Sequence, residues 1–262
     1  VLVTGASSGI GLAVAREVVR RGGRVALAAR TAGTLDAAVR ELGPERAASF
    51  PVDVRDTAAV GRLPEAVVAR LGRLDVLVNN AGANHRGELA DRTPAELEAI
   101  VLTNLLAPIL LTRAALPFLR PGGVIVNVAS LAGKVPVPHE AAYCATKAGL
   151  RAFSRALDVE LHDRQVRVVV VNPGPVDTGF LGDLATVPDL VLSQPLSTAE
   201  AVALAVLSAA EDGTMEIDVP AASGKLATLG YLSPRLFRAL RPLLMRRGAK
   251  NKAAHLARRS GR

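Results

Sequence analysis

Seven short runs rich in Val, Leu, Ile and Ala recur along the 262 residues, and most are followed by a stretch of helical period. No other feature constrains the fold as strongly. The runs fall at 1–4, 24–29, 47–52, 74–78, 123–129, 165–171 and 214–219, and helices are expected at 31–42, 56–71, 141–161 and 198–212, with a long one from Thr93-Pro94 to about residue 119. Strands that alternate with helices pair through crossovers, which makes the sheet parallel and covers both its faces. The 123–129 run is nearly all apolar, as a strand buried on both faces should be. The expectation is an α/β fold with a doubly wound, seven-stranded parallel sheet. Residues 1–219 form its single domain, and 220–262 a helical tail. One α/β domain of this length is common.

The first strand runs into Gly5-Ala6-Ser7-Ser8-Gly9-Ile10-Gly11 and then an amphipathic helix reaching about Arg21. Glycines there allow a tight turn and close backbone approach, and the helix start offers free N–H groups and a positive dipole to a pyrophosphate. Strand, glycine loop and helix together are the context in which such a motif predicts phosphate binding. The second strand ends at Arg30, next to Thr31. An acidic residue in that region binds a ribose 2′-hydroxyl, whereas an Arg accommodates a 2′-phosphate, so Arg30 points to NADP(H) over NAD(H). The alternative is a solvated Arg at the start of the next helix. Asp53-Val54, Asn79-Asn80-Ala81-Gly82 and Asn172-Pro173-Gly174-Pro175-Val176-Asp177-Thr178 follow other strands, where open α/β sheets bind ligands.

Tyr143 and Lys147 stand one turn apart on the 141–161 helix, on the same face, with Ser130 at the end of the preceding strand. A neighbouring ammonium favours the phenolate and should bring the Tyr143 pKa down towards working pH, as a general acid/base requires. Alone, the pair is also compatible with a half-buried Tyr beside a solvated Lys. Asn104 lies in an otherwise apolar helical run and must be hydrogen-bonded if buried. It would hold either a kink near Pro108 or a water at the active site.

The formal charge of +8 is concentrated at one end. Residues 219–262 carry eleven Lys or Arg and no Asp or Glu, leaving a balance of −3 on the rest. A nucleic-acid-binding fold would carry its basic face on the body, so no nucleic-acid partner is expected. The single cysteine, Cys144, excludes an internal disulfide and fits a reducing, cytoplasmic setting; it reads as a small packed residue. With a strand-like run from Val1, no signal peptide is expected. The longest apolar stretch, 100–111, is short and holds Thr103, Asn104 and Pro108, so no membrane span is expected. Four scattered His and one Cys give no metal-ligand spacing.

Taken together, Thr4-Gly5-x-x-x-Gly9-x-Gly11, Asp53-Val54, Asn79-Asn80-Ala81-Gly82, Asn104, Ser130, Tyr143-x-x-x-Lys147 and Pro173-Gly174 resemble the short-chain dehydrogenase/reductase family, a Rossmann-fold family, over nearly all of 1–219. Residues 130–135 bear a fainter resemblance to its microsomal hydroxysteroid-dehydrogenase branch. The resemblance implies that Tyr143 exchanges a proton with the substrate oxygen, which Ser130 holds. It implies that Lys147 lowers the Tyr143 pKa and binds the nicotinamide ribose, and that Asn104 holds a water linking Lys147 to solvent. Asp53 and Val54 would contact adenine, and Asn80, Ala81 and Gly82 would line the cofactor. The backbone around Pro173, Val176 and Thr178 would fix the carboxamide.

The substrate pocket should be built from 131–139, 172–178 and a largely apolar lid at 180–197, with His85 and Arg86 either touching substrate or lying on the surface. These segments favour a lipophilic ketone, aldehyde or secondary alcohol: a steroid, retinoid, fatty aldehyde or xenobiotic ketone. A helix at 234–245, with Leu236, Phe237, Leu240, Leu243 and Leu244 on one side and Pro242 interrupting it, could lie on an anionic membrane, pack on a partner subunit or cover its own pocket. A homodimer through the two long helices is expected. The tail, which departs from the family ending, leaves a tetramer open. Two other readings remain: a dinucleotide-binding sensor or scaffold without turnover, and a nucleotide-sugar epimerase or dehydratase.

Overall fold

In the computed structural model, which describes residues 1–260, the strands form one parallel sheet in the order β3-β2-β1-β4-β5-β6-β7. They are β1 (Leu2–Thr4), β2 (Val25–Ala29), β3 (Ala47–Pro51), β4 (Val76–Asn79), β5 (Val124–Val128), β6 (Arg167–Pro173) and β7 (Glu216–Val219). The winding direction reverses at β1, which lies between β2 and β4, and opens a crevice at the carboxyl ends of those strands.

Successive side chains on a strand face opposite ways, and this alternation builds both core layers. Val3, Val78, Val126 and Val169 pack in one layer with α1 (Gly9–Arg20) and with helix α8 (Ala199–Asp212). Their neighbours Leu2, Leu77, Ile125 and Val168 pack in the other, with α3 (Thr57–Leu71) and residues of the long helices. The helix α2 (Ala32–Leu42) covers the outer strands through Leu35 and Ala38. Asp56 caps α3 through the Ala59 amide at 3.0 Å, and Thr198 caps α8 through the Ala201 amide at 3.1 Å. Pro64 is buried inside α3, which runs through it without the amide that would otherwise bond the Val60 carbonyl.

The long helix expected after Thr93-Pro94 forms, opened by a capping box between Thr93 and Glu96, but it is not uniform. The helix α4 (Pro94–Val101) passes into a π turn (Leu102–Leu106) and then into α5 (Ala107–Ala115). The π turn absorbs one extra residue just ahead of Pro108, whose missing N–H already weakens the regular ladder. The 25-residue stretch Pro94–Phe118 has a mean hydropathy of 1.8 in its most apolar window, enough by length and composition to cross a membrane. Scattered polar residues keep this stretch from reading as one uninterrupted apolar run, although the helix is apolar on average. Here the helix lies against the body: α5 packs on α3, and 44% of the window is buried.

Beyond α6 (Ala141–Glu160), the expected irregular lid has its own small core of Leu181, Leu184, Val187 and Leu192 and one short helix, α7 (Asp189–Leu192). The tail differs most from expectation. A helix not foreseen, α9 (Ala221–Leu232), precedes α10 (Pro234–Ser260), which continues through Pro242. Arg238, four residues before Pro242, is exposed, so water can reach the carbonyl that the proline leaves unbonded. The inward face of α10 is Phe237, Leu240, Leu244, Gly248 and Asn251, whereas Leu236 and Leu243 point outward.

Candidate active site

Each crossover delivers a loop to the carboxyl edge of the sheet, and these loops enclose a cavity of about 690 Å³. Gly5 adopts φ +64 and Gly9 φ +53, a region that disfavours side chains. A Cβ on Gly11 would overlap the Gly5 carbonyl, so the start of α1 is drawn against its own turn. Ser8 precedes α1 without a side-chain cap, which leaves first-turn N–H groups to face the cavity. Thr4 Oγ1 accepts from the amides of Asn80 and Ala81, both at 3.0 Å, and Asn80 Nδ2 donates to the Thr4 carbonyl at 2.9 Å. These bonds lock the ends of β1 and β4 together. At the far edge, Arg30 and Thr31 line the cavity with Asp53, Val54 and Arg55. Arg55 binds Asp53 through Nη2 at 2.6 Å and holds that carboxyl below its ordinary range.

Near the middle of the cavity stand Ser130, Tyr143 and Lys147. Gly133 lets α6 approach, since a Cβ there would meet the Lys147 backbone at 2.9 Å. Lys147 is buried, and its Nζ donates to the Val128 carbonyl at 2.9 Å while lying 5.7 Å from the Tyr143 ring centroid. Burial lowers the Lys147 pKa to about 8. Burial likewise pushes the Tyr143 phenol well up, against a smaller lowering by hydrogen bonding to Ser130. This corrects the expectation of an acidified Tyr143. Both groups leave water together, and for Tyr143 desolvation outweighs the hydrogen bond with Ser130 and the charge of Arg86.

Asn104 sits in the π turn, fully buried behind the cavity wall. Its Oδ1 accepts from the Ala83 amide at 2.8 Å, and its Nδ2 donates to the Ala83 carbonyl at 2.8 Å and to Thr146 Oγ1 at 3.2 Å. Both amide hydrogens are committed, so the side chain fastens the Ala83 loop to α6, which carries Tyr143 and Lys147. Arg86 has a comparable role: Nε donates to Glu140 at 2.6 Å and Nη1 to the Leu181 carbonyl at 2.7 Å, tying the lid to the start of α6. Phe180 of the lid tilts over Tyr143 with ring centroids 6.2 Å apart.

The structure brings nearly all the sequence-derived candidates to this one cavity: Ser7, Ser8, Ile10, Ala81, Gly82, Pro173, Gly174, Val176 and Thr178 line it together with the groups above. Gly11 and Asn104 do not, and both act from behind the wall. Sequence reasoning missed Arg55, Leu226 and Ala227 as lining residues, and covering its own pocket was one of three alternatives left open for the helix that brings in Phe237 and Leu244. For the last two a signal existed, because they belong to one helical stripe; the partner of that stripe was not readable.

A family model described as short chain dehydrogenase matches residues 1–187. The ketoacyl reductase HetN of Nostoc sp. is 39% identical over 226 residues, covering 84% of this chain and 77% of that protein. The dehydrogenase/reductase SDR family member 7B of Bos taurus is 30% identical over 272 residues, covering 96% of this chain and 83% of that one. A crystal structure of a short chain dehydrogenase from Burkholderia cenocepacia in complex with NADP superposes with a TM-score of 0.76 at 32% identity, covering 83% of this chain and 95% of that one.

Proposed function

This chain belongs to the short-chain dehydrogenase/reductase family, as an oxidoreductase acting on C=O or CH–OH groups, and from that premise we propose that it is an NADP(H)-dependent enzyme for a lipophilic ketone, aldehyde or secondary alcohol. The observation that carries the reading is Tyr143, a buried phenol, facing the same cavity as Ser130, Lys147 and the glycine turn. The residues present fit a dinucleotide. The uncapped start of α1 suits a pyrophosphate, Asn80, Ala81 and Gly82 suit the span between its halves, and Pro173, Val176 and Thr178 suit the nicotinamide end. Arg30, with Arg55 nearby, supports a 2′-phosphate and hence NADP(H).

A bound nicotinamide supplies the hydride. The protein's part is orientation and proton supply. Ser130 hydrogen-bonds the substrate oxygen, and Tyr143 donates its proton to that oxygen as it becomes an alcohol. Lys147, protonated below pH about 8, stabilises the phenolate left behind and returns a proton to it. Asn104 supports the site by holding the Ala83 loop and Thr146 in place. A relative named as a ketoacyl reductase is consistent with carbonyl reduction.

Two further features belong to this reading. The long helices α4–α5 and α6 support a homodimer. Tyr231, Leu232 and Leu243, which are 62, 75 and 65% exposed near Lys225 of α9 and the arginines of α10, support a cytoplasmic enzyme that touches anionic membrane at its periphery. Replacement Tyr143→Phe tests the core of the reading: NADPH consumption with lipophilic ketones should fall by ~10²–10⁴-fold with NADPH affinity kept. A sensor or scaffold would be indifferent to the change. Arg30→Ala should weaken NADPH while sparing NADH, and equal effects on both would remove the NADP(H) assignment.

A further inference from the structure

The far end of the cavity is built by segments that lie beyond the family match, which ends at residue 187. Phe237 and Leu244, seven residues apart and so two turns along one face of α10, line it together with Leu226 of α9 and with Leu190 and Val191 of α7. This wall is fixed in place. Gly248 is buried where any Cβ would overlap the Asp189 carbonyl, so α10 rests directly on the backbone of α7. Asn251 Nδ2 donates to the Leu192 carbonyl at 2.9 Å, and Lys252 Nζ donates to the Val187 carbonyl at 2.8 Å and pairs with Asp189 at 3.4 Å. Gly230 receives the Phe237 ring, which a Cβ would meet at 3.0 Å.

The charge of this wall is as informative as its shape. None of the described Lys or Arg side chains of the basic extension lines the cavity, and Arg86, which does, is neutralised by Glu140. A ligand reaching this end meets mainly hydrocarbon, with Ser193, Gln194 and Ser223 as neutral polar neighbours, and no unpaired cation of the extension.

We infer that α9 and α10 complete the substrate chamber within the same chain and form a subsite for an unbranched hydrocarbon tail, whose length Phe237 and Leu244 limit. The inference deepens the proposed reading and depends on it only for where the reacting carbonyl sits. Two measurements on the full chain separate the two. The first is calorimetric titration with 1-butanol through 1-dodecanol, which needs no turnover. The second is NADPH consumption with the matching series of 2-alkanones.

Affinity and kcat/KM should rise ~4-fold per methylene until the tail meets the wall, then level off. In Leu244→Trp the levelling should come several carbons earlier, and in Leu244→Ala later. A break at the same length in wild type and both variants, or affinity that does not rise with length, overturns the subsite. Should the tryptophan variant fail to fold, the shift in Leu244→Ala decides alone. Alcohols that show the shifted break while no alkanone consumes NADPH would uphold the subsite and sink the lipophilic-ketone reading.

Discussion

The two ends of the cavity are made by different means. At the dinucleotide end, backbone does the work: Gly5 at φ +64, Gly11 against the Gly5 carbonyl, and amides of Asn80 and Ala81 on Thr4 Oγ1. At the far end, side-chain volume does it: Phe237, Leu244, Leu226 and the lid. Backbone geometry admits few alternatives and fixes residue types at set spacings. A wall of hydrocarbon accepts many residues of similar size and can be recut one side chain at a time. The first end therefore suits a cofactor that does not change, and the second a substrate that differs from enzyme to enzyme.

After Tyr143→Phe, the largest expected effect also lies between the two ends. Lys147→Met should lower kcat/KM for reduction by ~10²-fold or more whatever the tail length, and should abolish the loss of activity that wild type shows as pH rises through about 8. The sign follows from the group: burial has lowered this amine, so it loses its proton there, and the phenolate loses both its partner and its proton source. A wild-type rate that stays flat to pH 10 would break the link. Next, Gly11→Ala forces a methyl into the Gly5 carbonyl and should weaken NADPH by about 10–100-fold, at roughly 1–3 kcal/mol for overpacking, equally for short and long substrates. Gly248→Leu is its counterpart at the other end. It should leave NADPH affinity alone and raise KM several-fold, increasingly with tail length; a uniform loss would show that the two ends are not separable. The smallest effect belongs to neither. Thr198→Ala removes one cap of α8 and should cost about 1 kcal/mol in thermal unfolding with the substrate profile unchanged.

The same contrast decides how much was legible beforehand. The alternation of strands and helices, the glycine turn, and the meeting of Ser130, Tyr143 and Lys147 follow from short-range patterns: apolar runs for buried strands, a period near four on α6, and polar residues at strand ends. The tilt of the Tyr143 pKa was not legible, because it depends on how deeply α6 is buried, and spacing is silent on burial. Asn104 was half legible. Its need for partners was clear, but Ala83 and Thr146 as those partners required the π turn. The roof was least legible. The apolar side of α10 was readable through Phe237, Leu240 and Leu244, but its continuation to Gly248 was not, and nothing local marks Asp189 as the backbone that Gly248 meets.

The bonds from Asn251 and Lys252 to the carbonyls of Leu192 and Val187 mean that the lid is one end of a lever. Whenever α7 swings away from α10, those two carbonyls lose their donors; whenever it keeps them, a 27-residue helix must travel with it. A ligand that displaced α7 would have to break those bonds or carry the whole helix with it.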